Sequence, residues 1–171
     1  MIDHYLLTLI GTDRPGLVES IARTIAKSGG NWEESRLANL RGKFAGMVLA
    51  AVPHQNAADF TQQVDALKTA ELSVRITRIQ TPPSDNRRTR HLRLLANDRP
   101  GILHELSAAL TSLNANVEEL TSDCIPAPMS NQSLFQATCR LSLPDSLADE
   151  SLIAALENLA DDWMVELAPP D

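Results

Sequence analysis

The first part of the chain shows two kinds of hydrophobic pattern in succession. Apolar residues fill both alternate sets of positions from Tyr5 to Gly11, which predicts a central strand with little solvent on either face. From Leu17 onward they recur at helical spacing, and Gly29 follows as a left-handed helix end. The pattern therefore predicts a strand followed by a helix that packs on a sheet.

The next segments predict a hairpin, a second helix and a last strand. Residues 31–40 and 44–52 have strand patterns and are separated by a tight turn that contains Gly42. Asn56 is placed to cap a second helix, and residues 72–76 alternate as a strand. The predicted order is strand, helix, strand, strand, helix, strand.

This order occurs twice. The segment Thr12-Asp13-Arg14-Pro15-Gly16-Leu17 returns as Asn97-Asp98-Arg99-Pro100-Gly101-Ile102, at an offset of 85 positions. Past the second hairpin the offset is 91, so six residues have been inserted, and they fall at the hairpin turn around residues 125–132. Asn114 takes the place of Gly29, and Ser146 is placed to cap the last helix. The chain is therefore a tandem repeat.

Two such units predict an α+β fold with two domains. Each would be a ferredoxin-like βαββαβ sandwich, whose four-stranded antiparallel sheet carries both helices on one face. We place the domains at residues 1–80 and 91–171, joined by a linker over 81–90 that contains Pro82-Pro83.

The third strand of the first unit predicts that both faces of its sheet need cover. Apolar side chains alternate on the two faces, with Met47, Leu49 and Ala51 opposite Val48, Ala50 and Val52. We expect the face without helices to be covered by the second domain or by another molecule, such as a further copy of the chain in a homo-oligomer.

The net charge of the chain argues against one class of function, direct binding to nucleic acid. The chain has 15 basic and 22 acidic side chains and a formal net charge of −7, which opposes direct binding to nucleic acid. Its only basic cluster is expected to be solvated in the linker region, and consists of Arg87, Arg88, Arg90 and Arg93. Contact with DNA is therefore expected to be indirect.

Cysteines and the N-terminal sequence indicate the compartment. Cys124 and Cys139 are too few for a disulfide framework and are expected to be buried thiols. The N-terminal segment has no basic region, and its apolar run is too short for a signal peptide or a membrane span. These features predict a cytoplasmic protein that does not bind membranes.

The repeated turn carries a family resemblance. A DRPG turn that opens the first helix, with Asn31 or Asn116 at the start of the next strand, resembles the ACT domain. The resemblance covers nearly the whole chain in two copies and implies amino-acid binding where two such domains meet. Residues 30–38 are similar to the tandem ACT repressors of the glycine cleavage system. That similarity implies a glycine sensor that acts through a partner DNA-binding transcriptional regulator.

The DRPG turns supply the candidate ligand-binding residues. An amino-acid carboxylate suits the amides of the helix N-terminus and an arginine, its ammonium suits an aspartate, and a glycine lets it approach the backbone. The candidates are Asp13, Arg14, Gly16, Leu17 and Asn31 in the first copy, and Asp98, Arg99, Gly101, Ile102 and Asn116 in the second.

Other roles for these residues stay open. The aspartates could cap a helix, the arginines could be solvated, and the asparagines could form turns. A valine at Gly16 or Gly101 is expected to block the ligand and leave the fold intact, because valine is the better helix former.

Catalysis is not expected. Neighbouring glutamates, Glu33-Glu34 and Glu118-Glu119, would point to opposite faces of a strand, and the four histidines lack metal-ligand spacing. We predict no catalytic site, metal or cofactor. The alternative function is an ACT regulatory subunit of an amino-acid metabolic enzyme, and a direct DNA binder is opposed by the charge.

Overall fold

The computed structural model describes residues 1–80, 87–127 and 133–169. The chain divides into two compact units, Met1–Pro83 and Ser84–Asp171. The first unit contains β1 (Ile2–Thr12), α1 (Leu17–Lys27), β2 (Asn31–Leu40), β3 (Lys43–Pro53), a 3₁₀ turn (His54–Asn56), α2 (Ala57–Ala66) and β4 (Leu72–Ile79). The second contains β5 (Arg88–Asn97), α3 (Ile102–Ser112), β6 (Asn116–Pro126), β7 (Ser133–Leu143), α4 (Asp149–Glu157) and β8 (Met164–Ala168).

Each unit is built on one antiparallel sheet. The strand order is β2-β3-β1-β4 in the first sheet and β6-β7-β5-β8 in the second. Central strands β1 and β5 pair antiparallel with both neighbours, as do β3 with β2 and β7 with β6. The α+β fold with two ferredoxin-like βαββαβ units is confirmed.

Both helices of the first unit pack on the same face of its sheet. Tyr5, Leu7 and Leu9, at alternate positions of β1, are buried in one cluster with residues of both helices. Phe60 of α2 is fully buried and meets the ring of Tyr5 edge to face, with 5.4 Å between the ring centroids. The strand period of two and the helix period of 3.6 therefore converge on one core.

The opposite face of the first sheet carries apolar side chains as well. Met47 is 45% exposed and Ile10 is 55% exposed, whereas Val48 and Val52 on the helix side are fully buried. Cover for this face by the second domain or by another molecule stays a prediction.

The predicted left-handed helix ends are confirmed. Gly29 has a φ of 65° and Asn114 a φ of 55°. In both units the next residue, Gly30 or Ala115, donates its N–H to a carbonyl of the last helical turn. Asparagine tolerates this conformation better than other residues with a side chain, so the repeat keeps its geometry without glycine.

One of the two predicted helix caps has the right position. Asn56 is the N-cap residue of α2, but its side chain makes no capping hydrogen bond. Its side-chain amide donates instead to the carbonyl of Ser28 at 2.8 Å. The prediction for Ser146 is wrong, because the N-cap of α4 is Ala148.

The arginines assigned to the linker region form contacts within the second unit. Strand β5 begins at Arg88, and both Arg88 and Arg90 bind the Asp149 carboxylate, at 3.2 and 2.8 Å. The Arg90 hydrogen bond is the main cause that lowers the pKa of Asp149. Arg87 donates to the carbonyl of Asn114. The expectation of a solvated basic cluster was wrong for these three, because their partners lie far away in sequence.

The cysteine expectation is half right. Cys139 of β7 is buried, and burial raises its thiol pKa to about 11. Cys124 of β6 is exposed, contrary to prediction. The alternation of apolar and polar residues along an edge strand such as β6 does not show which of its two faces is buried, so the exposure of Cys124 could not be predicted from it.

The core predicts a large cost for removing the Phe60 ring. Phe60→Ala should lower the free energy of unfolding of the first unit by roughly 3–5 kcal/mol, because the ring is fully buried and leaves a cavity. Urea unfolding followed by circular dichroism measures this. Val18→Ala, at an exposed position of α1, is the control and should change stability by less than about 0.5 kcal/mol. Equal effects of the two substitutions would contradict the assigned core.

Candidate functional site

The first DRPG turn is fixed to the β2–β3 hairpin. The backbone N–H of Asp13 donates to the carbonyl of Gly42 at 2.9 Å, and the Asp13 carboxylate accepts a hydrogen bond from the side-chain amide of Asn39. The N-cap residue of α1 is Gly16, and no side chain caps the helix. The capping role considered for Asp13 is therefore wrong, because its carboxylate points to the hairpin.

Gly16 has a conformation that requires glycine. Its φ is 89° and its ψ is −1°, in the left-handed region. A Cβ atom built at this position would meet no atom within 4 Å, so the backbone is approachable from outside. A proline is common in the first turn of a helix, which predicts that Pro15 lies there. Helix α1 begins only at Leu17, so Pro15 lies before the N-cap instead.

Leu17 and Ile102 can contribute only their backbone to a ligand site. Each side chain is 4% exposed and belongs to the core of its unit. Their N–H groups lie at the first helical position, where an α-helix offers no acceptor four residues earlier. The Ile102 N–H donates instead to the carbonyl of Arg99, at 3.5 Å. The site that these turns offer is therefore made of amides and a guanidinium, without an apolar wall from these residues.

Arg14 is the exposed cation of the first turn. Within the part of the chain that the structure describes, it forms no hydrogen bond or ion pair. It lies two residues before Gly16, at the end of α1 where the helix dipole favours negative charge. A guanidinium beside free helix amides is suited to a carboxylate.

The second DRPG turn keeps the backbone geometry. The N–H of Asp98 donates to the carbonyl of Ser133 at 2.9 Å, and Gly101 has a φ of 92°. Cys124 takes the position of Asn39 next to the aspartate. The pKa of the Cys124 thiol is raised, first by the partial loss of solvent around it and then by the neighbouring Asp98 carboxylate, so the thiolate is disfavoured there.

Arg99 differs from Arg14 because it binds a carboxylate of its own unit. Its Nη1 and Nη2 atoms donate to the two oxygens of Glu105, at 2.6 and 2.5 Å. This hydrogen bonding raises the pKa of Arg99 and lowers that of Glu105. The equivalent residue in the first unit is Ser20, whose hydroxyl donates to the carbonyl of Leu17 at 2.8 Å. Sequence analysis missed Glu105, although the offset of 85 aligns it with Ser20.

Asn31 and Asn116 lie away from the DRPG turn of their own unit. They begin β2 and β6, which follow the C-terminal ends of α1 and α3. A helix of 11 residues is about 16 Å long, so one small ligand cannot contact both ends. The structure does not bring these asparagines together with the arginine of the same unit, and their role in binding stays a prediction.

The glutamate pairs have ordinary partners. A β-bulge interrupts β6 between Val117 and Glu119, and Arg140 Nε lies 3.3 Å from Glu118 and 4.0 Å from Glu119. The expectation that these two glutamates point to opposite faces was wrong, because a bulge breaks the alternation. Among residues 1–80, 87–127 and 133–169, no group of three or more acidic, histidine or cysteine side chains could hold a metal ion.

The comparisons with known proteins identify the family of the chain. The model of the ACT domain family matches residues 3–77. The chain is 32% identical over 128 residues to the glycine cleavage system transcriptional repressor of Escherichia coli (strain K12). The aligned region covers 72% of this chain and 67% of that protein. The repressor of Shigella flexneri gives the same values. The chain belongs to the ACT domain family.

Solved structures show that the ACT fold extends through both units. An unknown protein from Galdieria sulphuraria superimposes with a TM-score of 0.85 at 23% identity, over 100% of both chains. A structure assigned provisionally to a glycine cleavage system transcriptional repressor gives 0.71 at 17% identity, over 99% of both chains. In the described ranges of this ACT protein, no helix has the length and apolar content needed to cross a membrane.

The conformation of Gly16 predicts that valine damages the ACT fold. Gly16→Val should lower the free energy of unfolding by roughly 1–2 kcal/mol or more, because a β-branched residue is strained at a positive φ. The helix-propensity argument for an intact fold does not apply, because Gly16 lies before the helix in the left-handed region. Gly16→Asn should cost less, because asparagine tolerates this region. Urea unfolding of both variants measures the difference, and equal stability of the two would contradict the assigned backbone conformation.

Proposed function

We propose that this ACT protein is an amino-acid-sensing regulator that represses transcription of the glycine cleavage system through a partner DNA-binding regulator. Glycine is the first candidate ligand, because the relatives that share 32% identity with it are repressors of that system. Support for the sensing step comes from the first DRPG turn.

The observation that carries the proposal is the exposed guanidinium of Arg14 at the uncapped start of α1. The ligand carboxylate would accept hydrogen bonds from Arg14 and from the first N–H groups of the helix. Because an atom at the Cβ position of Gly16 has no neighbour within 4 Å, the ligand can approach the backbone there.

Asp13 would bind the ligand ammonium. One of its oxygens accepts a hydrogen bond from Asn39, which fixes the carboxylate on the hairpin side of the turn. A carboxylate has about four acceptor positions, so this bond leaves room for an ammonium donor. A small amino acid then has a partner for each of its two charged groups within one turn.

The regulatory step would use a partner protein to reach DNA. A formal net charge of −7 repels a polyanion, and Arg88 and Arg90 are engaged with Asp149. Fewer arginines of the basic cluster are therefore available to contact a nucleic acid. We assign the protein no catalytic role, no metal and no cofactor.

The binding step predicts a specific role for Arg14. Arg14→Ala should weaken glycine binding by roughly 10-fold or more, because hydrogen bonds to charged groups are worth about 1.5–3 kcal/mol. Isothermal titration calorimetry with glycine, L-alanine and L-serine measures this. Arg75→Ala removes the same charge from strand β4 and is the matched control, with unchanged affinity expected. Equal affinities of wild type and Arg14→Ala would remove the first turn as the site.

The regulatory step predicts that the protein alone does not bind DNA. In a gel-shift assay at physiological salt, micromolar protein should leave glycine cleavage promoter DNA unretarded, because counterion release needs a cationic surface. Retardation without any other protein would contradict the use of a partner. Recovery of a metabolic enzyme as the stable partner, in place of a DNA-binding regulator, would support the regulatory-subunit alternative.

A further inference from the structure

We infer that Glu105 is a built-in occupant of the second DRPG turn, so that an amino-acid carboxylate binds at the first turn and is excluded from the second. This inference rests on the proposed function, because it concerns the same type of site. It assigns different roles to two turns that the sequence repeats almost without change.

The evidence is the place that the Glu105 carboxylate takes. Both its oxygens accept hydrogen bonds from the Arg99 guanidinium, in the bidentate geometry that a ligand carboxylate would use. One of these oxygens lies 4.0 Å from the Cβ position of Gly101. The carboxylate thus lies beside the glycine and the arginine that would receive the ligand.

Among residues 1–80 of the first unit, no carboxylate binds Arg14. Position 20, which aligns with Glu105, is a serine whose hydroxyl donates to its own helix. The acidic residue of the first turn of α1 is Glu19, and it pairs with Arg23 one turn further along. The bidentate pair in the second unit therefore depends on one residue, Glu105, and not on a general feature of the repeat.

A free amino acid would compete poorly with Glu105. Glu105 is on α3, the helix that begins directly after the second turn, so its effective concentration at Arg99 is high and independent of the ligand. Displacement would also leave two carboxylates near one guanidinium, which disfavours both. Hydrogen bonding to Arg99 already holds the pKa of Glu105 below its ordinary value, so the carboxylate is charged at neutral pH.

Reciprocal substitution tests the inference. Glu105→Ser gives the second unit the residue of the first, and Ser20→Glu gives the first unit the residue of the second. Glycine binding is measured by calorimetry for stoichiometry, and by amide chemical shifts in ¹H–¹⁵N spectra for location. Circular dichroism verifies that each variant is folded, and Glu105→Gln is a control that keeps the size and removes the charge.

The expected results differ for each protein. Wild type should bind one glycine per chain, with shifts at residues 16–19 and none at 101–104. Glu105→Ser should bind two, with new shifts at 101–104. Ser20→Glu should weaken binding at the first turn at least 10-fold, and the double variant should bind one glycine at the second turn. Glu105→Gln should behave like Glu105→Ser.

Other results would overturn the inference. Two equal sites in wild type, or one site in a folded Glu105→Ser variant, would leave the proposed function standing and remove the role of Glu105. Absence of glycine binding in every variant would remove the proposed ligand as well. The ion pair is measured separately, by titration of the Glu105 carboxyl without any ligand. An ordinary carboxyl pKa in wild type would contradict the pair, whatever glycine does.

Discussion

The geometry of both turns depends on one backbone hydrogen bond to the neighbouring hairpin. Asp13 donates to Gly42 in the first unit and Asp98 donates to Ser133 in the second. These acceptors are equivalent, although residues 127–132 join the strands in the second hairpin where Arg41 and Gly42 do so in the first. In each unit the bond joins the end of the first strand, where the DRPG turn begins, to the hairpin.

The two units share this backbone hydrogen bond but differ in the charged side chains of their sheets. At the start of β1, the Asp3 carboxylate is buried and binds His54 and Arg78, at 2.8 and 2.5 Å. Its equivalent on β5 is Arg88, which binds Asp149, so the charges are reversed in the second unit. Asp3 is buried and needs the partners that a low-dielectric environment requires, whereas Arg88 and Asp149 are each about a third exposed. The two sheets therefore have the same topology and different electrostatics.

Local patterns were sufficient to predict most of the fold. The bounds of β2 and the left-handed ends at Gly29 and Asn114 follow from hydrophobic period and turn chemistry. The errors occurred where a distant partner decides a side chain's role. Asn56 binds Ser28 and Arg88 binds Asp149, and neither partner is within one helical turn in sequence.

The candidate site was predictable in its residues and less so in its geometry. The DRPG repeat located the turns, but a proline before a helix does not tell whether the next glycine is helical or left-handed. Asp13 looked like a cap because its partner, Asn39, lies 26 positions away. The sequence shows that Glu105 replaces the serine of the first repeat. Its bidentate contact with Arg99 is seen only in the structure.

An unequal pair of turns has a consequence for the response to an amino acid. Two identical sites in one chain could couple, because a ligand at one site can change the affinity of the other through a shared equilibrium. If the second turn is occupied by its own glutamate, one ligand binds per chain and the occupancy curve of a single chain is hyperbolic. Any steepness in the biological response then has to come from assembly with a partner or with another copy.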